Sequence, residues 1–267
     1  VGPVLNDALF TPHKTVVCVS ATLGLGGSFD YWLERAGLAG REDVLRGTFA
    51  SPFPYKQAVL LAIPADAPPP SSPAYQGFVN DAALRLCTAS GGGALVLFTS
   101  YGSLRAAFSF CAPRLARHGI CALAQGEDDR ARLMRRFLDD ASSVLFATDS
   151  FWEGIDAPGE TLRLVILCRL PFNTPDDPVP QARCEALERA GKNPFTELSV
   201  PEAVMKFRQG FGRLMRRASD RGVVAVLDNR LAQKSYGRIF LDALPETRRC
   251  VDSFEVVERV CEQFLNM

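Results

Sequence analysis

The hydrophobic pattern of this chain is dominated by short, nearly continuous apolar runs. They are "TVVCVS" (15–20), "AVLLAI" (58–63), "ALVLFT" (94–99), "ICALAQ" (120–125), "SVLFAT" (143–148), "LRLVILC" (162–168) and "VVAVLD" (223–228). Runs without polar alternation are expected of strands buried on both faces, as in a parallel sheet. Between them, apolar residues recur at three- and four-residue spacing. This predicts helices over 75–89, 102–118, 128–140, 178–191, 201–218 and 234–243. Strand and helix in alternation predict an α/β fold, a mostly parallel sheet with helices on both faces. The stretch 231–267 reads as a closing helix, an edge strand and a terminal helix.

Two stretches interrupt the pattern. "PADAPPPSSP" (64–73) places five prolines in ten residues, which excludes helix and central strand and predicts a linker or surface loop. "SGGG" (90–93) precedes a strand, with no Lys-Ser/Thr after it and no helix starting there. It reads as a plain turn rather than a phosphate-cradling loop.

The segment 201–218 has two faces when drawn as one helix. Val204, Phe207, Phe211, Leu214 and Met215 gather on one side as a core face. Gln209, Gly212, Arg213 and Arg216 gather roughly opposite. A solvated face is one reading of that second set. Against it, Gly212 costs about 1 kcal/mol in a helix interior, and the charges are not the mixed-sign pairs of a solvated face. Two guanidinium groups and an amide suit the oxygens of one polyanion, such as a nucleoside triphosphate.

Composition narrows the field without choosing a function. Thirty Lys plus Arg balance thirty Asp plus Glu, so a basic site must be a local patch. No apolar run approaches the roughly 20 residues of a membrane span, and no signal peptide is evident. The eight Cys form no CxxC and mostly sit in apolar runs, so they read as reduced core residues of a cytosolic protein. With only two His, a His-based metal site or triad is not expected. Nucleophile-elbow and dinucleotide patterns are also lacking. Val1 in place of Met suggests a fragment.

"QGFGRLMRRASDRGVVAVLDNR" (209–230) closely resembles motif VI of the DinG/XPD group of superfamily 2 DNA helicases. Three further stretches follow that group's order. "SATL" (20–23) resembles motif III, and "LVLFTSYGSL" (95–104) resembles motif IV. "ATDSFWEGIDAPG" (147–159) with "LRLVILCRLPF" (162–172) resembles motif V and its next strand. The resemblance implies a RecA-like fold and the C-terminal half of an ATP-driven motor. Residues 1–63 would be the end of the first motor domain and its connection, 64–74 a Pro-rich linker or loop, and 75–267 the second RecA-like domain. The chain has no GxxxxGK[ST], no DEAH-like box and no four-Cys cluster. ATP and Mg²⁺ would therefore be held mainly by the N-terminal RecA-like domain of the same protein.

The resemblance also assigns roles. Arg213 and Arg216 would be arginine fingers and Gln209 a γ-phosphate sensor. Glu153, Gly154, Asp156 and Gly212 would lie at the nucleotide. Thr99, Ser100, Tyr101, Thr148 and Ser150 would hold phosphates of single-stranded DNA, and Ser20 and Thr22 would couple ATP state to DNA grip. Each has a plainer reading. Thr99 and Ser100 suit a helix cap, Tyr101 and Trp152 suit packing, and Glu153 and Asp156 suit a helix start. The run 15–20 is expected to add to the second domain's sheet or to pack on a neighbouring chain. The implied function is an ATP-dependent DNA helicase, moving 5′ to 3′ on single strands and inactive as this piece alone. It would be cytoplasmic, and nucleoid-associated if bacterial. A non-catalytic helicase-like nucleic-acid-binding module and an RNA helicase domain stay open as alternatives.

Overall fold

In the computed structural model, residues 1–148, 151, 157, 159–173 and 178–267 are described. Seven strands form one sheet: β1 (Val59–Pro64), β2 (Ala94–Phe98), β3 (Ala122–Ala124), β4 (Val144–Thr148), β5 (Leu164–Leu167), β6 (Gly222–Val226) and β7 (Arg248–Asp252). Their order is β3-β4-β2-β5-β6-β1-β7, and every pairing is parallel. β1, β2, β4, β5 and β6 are buried along their whole length, as their uninterrupted apolar sequences require.

The helices are α1 (Gly2–Leu5), α2 (Asp30–Ala36), α3 (Tyr55–Ala58), α4 (Tyr75–Ala89), α5 (Tyr101–Leu115), α6 (Arg130–Asp139), α7 (Pro178–Arg189), α8 (Val200–Phe211), α9 (Arg230–Gln233), α10 (Gly237–Asp242) and α11 (Phe254–Leu265). One face of the sheet packs against α4, α5 and α11, through Val79, Leu86, Leu104, Cys111, Val257 and Phe264 among others. The other packs against α6, α8 and α10, through Leu133, Phe137, Val204, Phe207 and Phe240. A small satellite core of Leu33, Ala36 and Leu38, flanked by Phe10, Phe29 and Trp32, holds the N-terminal segment together.

The structure departs from the sequence reading in three places. The run 58–63, placed with the N-terminal piece, pairs with both β6 and β7 as β1. A division at 63/64 therefore falls inside one sheet. The Pro-rich stretch after it is the crossover from β1 to α4, tied down by the Asn229 side-chain amide donating to the Ala67 carbonyl at 2.7 Å.

The run 15–20 forms no strand and joins no sheet. Val17 and Val19 are 79% and 88% exposed. Among the described residues, β3 and β7 each keep an unpaired outer edge, and the run lies on neither, so strand-like composition alone did not pair it.

The helix expected over 201–218 stops at Phe211, with Gly212 as its C-cap. Residues beyond it fold back as a turn. Glycine's low helix propensity weakens the helix there. The Asp220 carboxylate then captures the backbone N–H groups of Arg216 and Arg217, at 2.8 and 2.7 Å, which a continuing helix would have used itself. The five core residues expected from this segment are nonetheless all buried.

Candidate functional site

Two regions carry the residues singled out in the sequence. The first is the end of α8 and the turn leading into β6. Gln209 is half-buried in the last turn of the helix, and the Arg213 Nε donates back to the Gln209 carbonyl at 3.1 Å. Leu214 and Met215 anchor the turn in the core. Asp220 is itself buried, and besides Arg216 and Arg217 its carboxylate accepts the Gly159 N–H at 3.2 Å. One carboxylate thus joins the Arg-bearing turn to the segment that closes the motif-V-like stretch.

Gln209, Gly212, Arg213 and Arg216 consequently do not form one helical stripe. They sit on a helix end and an Asp-locked turn, which still concentrates two guanidinium groups within a few residues. Tyr55 lies against Phe211, with ring centroids 5.8 Å apart. Burial pushes its phenol above the usual value, while neighbouring Arg216 pulls the other way.

Ser20 and Thr22 meet the same helix indirectly. Their hydroxyls are 3.1 Å apart, and the Thr22 N–H donates to the Ser20 hydroxyl. Arg208, the residue before Gln209, donates to the Ala21 carbonyl at 2.5 Å and to the Gly24 carbonyl. Burial lowers the Arg208 guanidinium from its ordinary value, yet an arginine stays charged. Near the start of α8, the Glu202 carboxylate accepts from Arg35 at 2.8 Å, Arg183 at 3.4 Å and the Asn173 amide at 2.6 Å. The N-terminal segment is thus held on α8 at both ends of that helix.

The second region is the C-terminal edge of the parallel sheet, where α/β ligand sites gather. Ser100 caps α5, its hydroxyl accepting the Ser103 N–H at 3.3 Å, so the plainer reading of this residue holds geometrically. Tyr101 is 49% exposed, and Thr99 is half-buried beside it. Thr148 is buried at the end of β4, and its N–H and hydroxyl both donate to Gln125 Oε1, at 2.7 and 2.9 Å. Gln125 Nε2 in turn donates to the Tyr101 hydroxyl at 2.6 Å. One amide therefore joins the ends of β3, β4 and α5. Ser150, Glu153, Gly154 and Asp156, together with Trp152, lie outside the described residues.

Sequence reading passed over Gln125, Arg208, Glu202 and Asp220. Gln125 was detectable as the polar residue ending an apolar strand run. The other three act through partners 19 to 187 positions away or inside a turn whose path the pattern did not reveal. Among the described residues, no group of three or more His, Cys, Asp or Glu is placed to hold a metal ion, and no helix is long and apolar enough to cross a membrane.

Comparison with known proteins bears on the family and the fold. The helicase C-terminal domain family matches residues 83–247. The chain is 39% identical over 253 residues to the Bacillus subtilis protein named 3′-5′ exonuclease DinG, covering 92% of this chain and 27% of the relative. It is 40% identical over 249 residues to the ATP-dependent helicase DinG of Mycobacterium tuberculosis H37Rv, covering 92% and 36%. With the ATP-dependent DNA helicase YoaA of Haemophilus influenzae it shares 38% identity over 242 residues, covering 91% and 37%. The chain therefore spans about a third of the length of the curated relatives it matches. Among solved structures, an XPD helicase superposes with a TM-score of 0.51 at 16% identity, covering 72% of this chain and 36% of that one. Xpd4 of S. tokodaii gives 0.50 at 15%, covering 73% and 38%. At that identity the likeness is one of fold, and the fold is RecA-like.

Proposed function

The chain belongs to the helicase C-terminal domain family, in its DinG/XPD-type branch, and from that membership we propose that it works as the second motor half of an ATP-dependent DNA helicase. The observation that carries the reading is the Asp220-locked turn, which sets Arg213 and Arg216 just beyond the helix bearing Gln209. Two guanidinium groups beside an amide fit a triphosphate, because each guanidinium offers a planar fork of donors to phosphate oxygens. In this reading Arg213 and Arg216 reach across the cleft to the γ-phosphate held by the first motor domain. They neutralise charge as the phosphoryl group leaves, an effect worth about 10³–10⁵ in rate in other phosphoryl-transfer enzymes. Gln209 adds a hydrogen bond to the same group, and Gly212 lets the turn approach closely. Mg²⁺, with most of the ATP contact, belongs to the first domain.

On the sheet edge, Thr99, Ser100, Tyr101 and Thr148 would follow the backbone of single-stranded DNA, with Ser150 continuing the line. Hydroxyl and amide donors there suit phosphates, and Tyr101 offers a face on which a base can stack. Glu153, Gly154 and Asp156 would connect the two regions. Ser20 and Thr22 would report ATP state to the DNA grip through Arg208. Residues before β1 would belong to the end of the first motor domain. The protein would travel 5′ to 3′ and act in the cytoplasm, on the nucleoid if bacterial.

The test is DNA-stimulated ATP hydrolysis by a protein carrying both motor halves, with and without Arg216→Ala, at matched single-strand affinity. The expected result is a fall of about a hundredfold in kcat with DNA binding held. An unchanged rate would reduce the chain to a binding module, and stronger stimulation by RNA than by DNA would select the RNA helicase alternative. Steady ATP turnover by this chain alone, abolished by Arg216→Ala, would overturn the division of labour.

A further inference from the structure

β5 ends on the same sheet edge as the Tyr101 cluster. Its register pairs Leu97 with Leu167, and the Cys168 N–H donates to the Leu97 carbonyl at 3.0 Å. β2 and β5 run parallel and end at Phe98 and Leu167, so Thr99 and Arg169 both leave the sheet at its C-terminal edge, which also carries Ser100 and Tyr101. Arg169 is exposed.

Among the described residues, the carboxylate at the end of the neighbouring strand is already engaged. Asp228, the buried carboxylate on the next strand's end, is taken on both oxygens. Arg230 donates to it from Nε at 2.9 Å and Nη2 at 2.6 Å, and the Leu170 N–H donates at 2.9 Å. Four other arginines of the fold are engaged on carboxylates: Arg85 on Glu258, Arg163 on Glu160, and Arg35 and Arg183 on Glu202. Among the described residues, Arg169 makes no hydrogen bond or ion pair. An arginine held for structure is expected to have such a partner. One set on a ligand edge without any is suited to an incoming anion.

We propose that Arg169 is a phosphate contact for single-stranded DNA, extending the track from β2 and β4 onto β5. This rests on the DNA reading above and adds to it a charged contact, where the other proposed members are hydroxyls and one phenol. Arg169 supplies the salt-dependent part of the grip, and the hydroxyl groups fix the strand's position.

The experiment titrates a fluorescein-labelled oligothymidylate with this chain by fluorescence anisotropy across a salt series. Each phosphate neutralised on a single strand contributes about 0.7 to the slope of log K against log salt. Arg169→Ala is expected to make the slope shallower by about 0.7 and to weaken low-salt binding roughly five- to tenfold. Arg169→Lys, which keeps the charge, holds the slope. Arg259→Ala, an exposed arginine on α11, removes the same charge far from this edge and leaves slope and affinity unchanged. Circular dichroism melts confirm that each variant is folded. If Arg169→Ala binds with the slope and affinity of the unmutated chain, or if Arg259→Ala loses as much, this inference falls and the DNA reading stands. If the unmutated chain shows no salt-dependent binding, both fall.

Discussion

Arg208 on α8 donates to the carbonyl of Ala21 at 2.5 Å, joining residues 187 positions apart. The same guanidinium reaches the Gly24 carbonyl. Hydrogen bonds from a charged donor contribute about 1.5–3 kcal/mol each when partly buried, and less where water competes. Arg208→Ala is therefore expected to weaken the seating of residues 20–25 by about 2 kcal/mol. Hydrogen exchange is the readout, with the amides of that segment exchanging roughly thirtyfold faster and the β2 and β4 amides unchanged. Equal protection in both proteins would show that the satellite core alone holds the segment.

Asp220 organises the turn after α8 by accepting three backbone N–H groups. Asp220→Ala strands those donors and is expected to cost about 2–3 kcal/mol in urea denaturation. Asp220→Asn keeps one acceptor oxygen and should lose less. A substitution without effect would mean that Leu214 and Met215 position the arginines by packing alone.

Gly222 opens β6 against its neighbour. A Cβ there would lie 2.1 Å from the Arg163 carbonyl oxygen and 2.9 Å from the Leu214 side chain. Backbone on one side and core on the other leave little room to relax. Gly222→Ala should destabilise the chain by about 3 kcal/mol or more, read as a lowered urea midpoint. Wild-type stability in that variant would contradict the β5–β6 register.

Gln125 is expected to position the sheet edge rather than touch ligand. With Gln125→Ala, Thr148 and Tyr101 lose their common partner, at a stability cost of about 1 kcal/mol. The proposed consequence is single-strand affinity about fivefold weaker with the salt slope unchanged, because no charge is removed. A shallower slope would instead point to a rearranged surface.

The thiols give a pH dependence. Burial pushes Cys111 and Cys261 up to about 12, and Cys87 and Cys168 shift the same way. The folded state thus holds its thiol protons more tightly than the unfolded chain, whose thiols ionise near 9. Their contribution is fully present below pH ~9 and is lost as pH rises towards ~12. Urea midpoints should fall across that window, and less steeply in Cys261→Ala. At neutral pH Ellman's reagent should reach Cys18 and Cys121, which are exposed, well before the four buried thiols.

Six of the seven apolar runs became strands and four of the six helical segments hold close to their expected bounds, because burial on both faces and on one stripe leave distinct periods in sequence. Elements near the site were harder to read for identifiable reasons. The run 15–20 has the composition of a strand, but composition does not decide whether the chain brings it to a sheet edge. The polar stripe of Gln209, Gly212, Arg213 and Arg216 has helical spacing, but spacing does not reveal where a helix stops.

By itself, then, the sequence determined the class of fold, the buried set on each element and the chemical types gathered at the site. Those follow from local propensity and from which side chains leave water. Only the tertiary structure decided that 59–64 lies between β6 and β7, that α8 ends at Phe211, and that Gln125, Arg208 and Asp220 hold the neighbouring residues in place. Each of these is a choice of hydrogen-bond partner among groups distant in sequence or folded back in a turn. Such choices are made by the closure of the whole chain, and a one-dimensional pattern carries little trace of them.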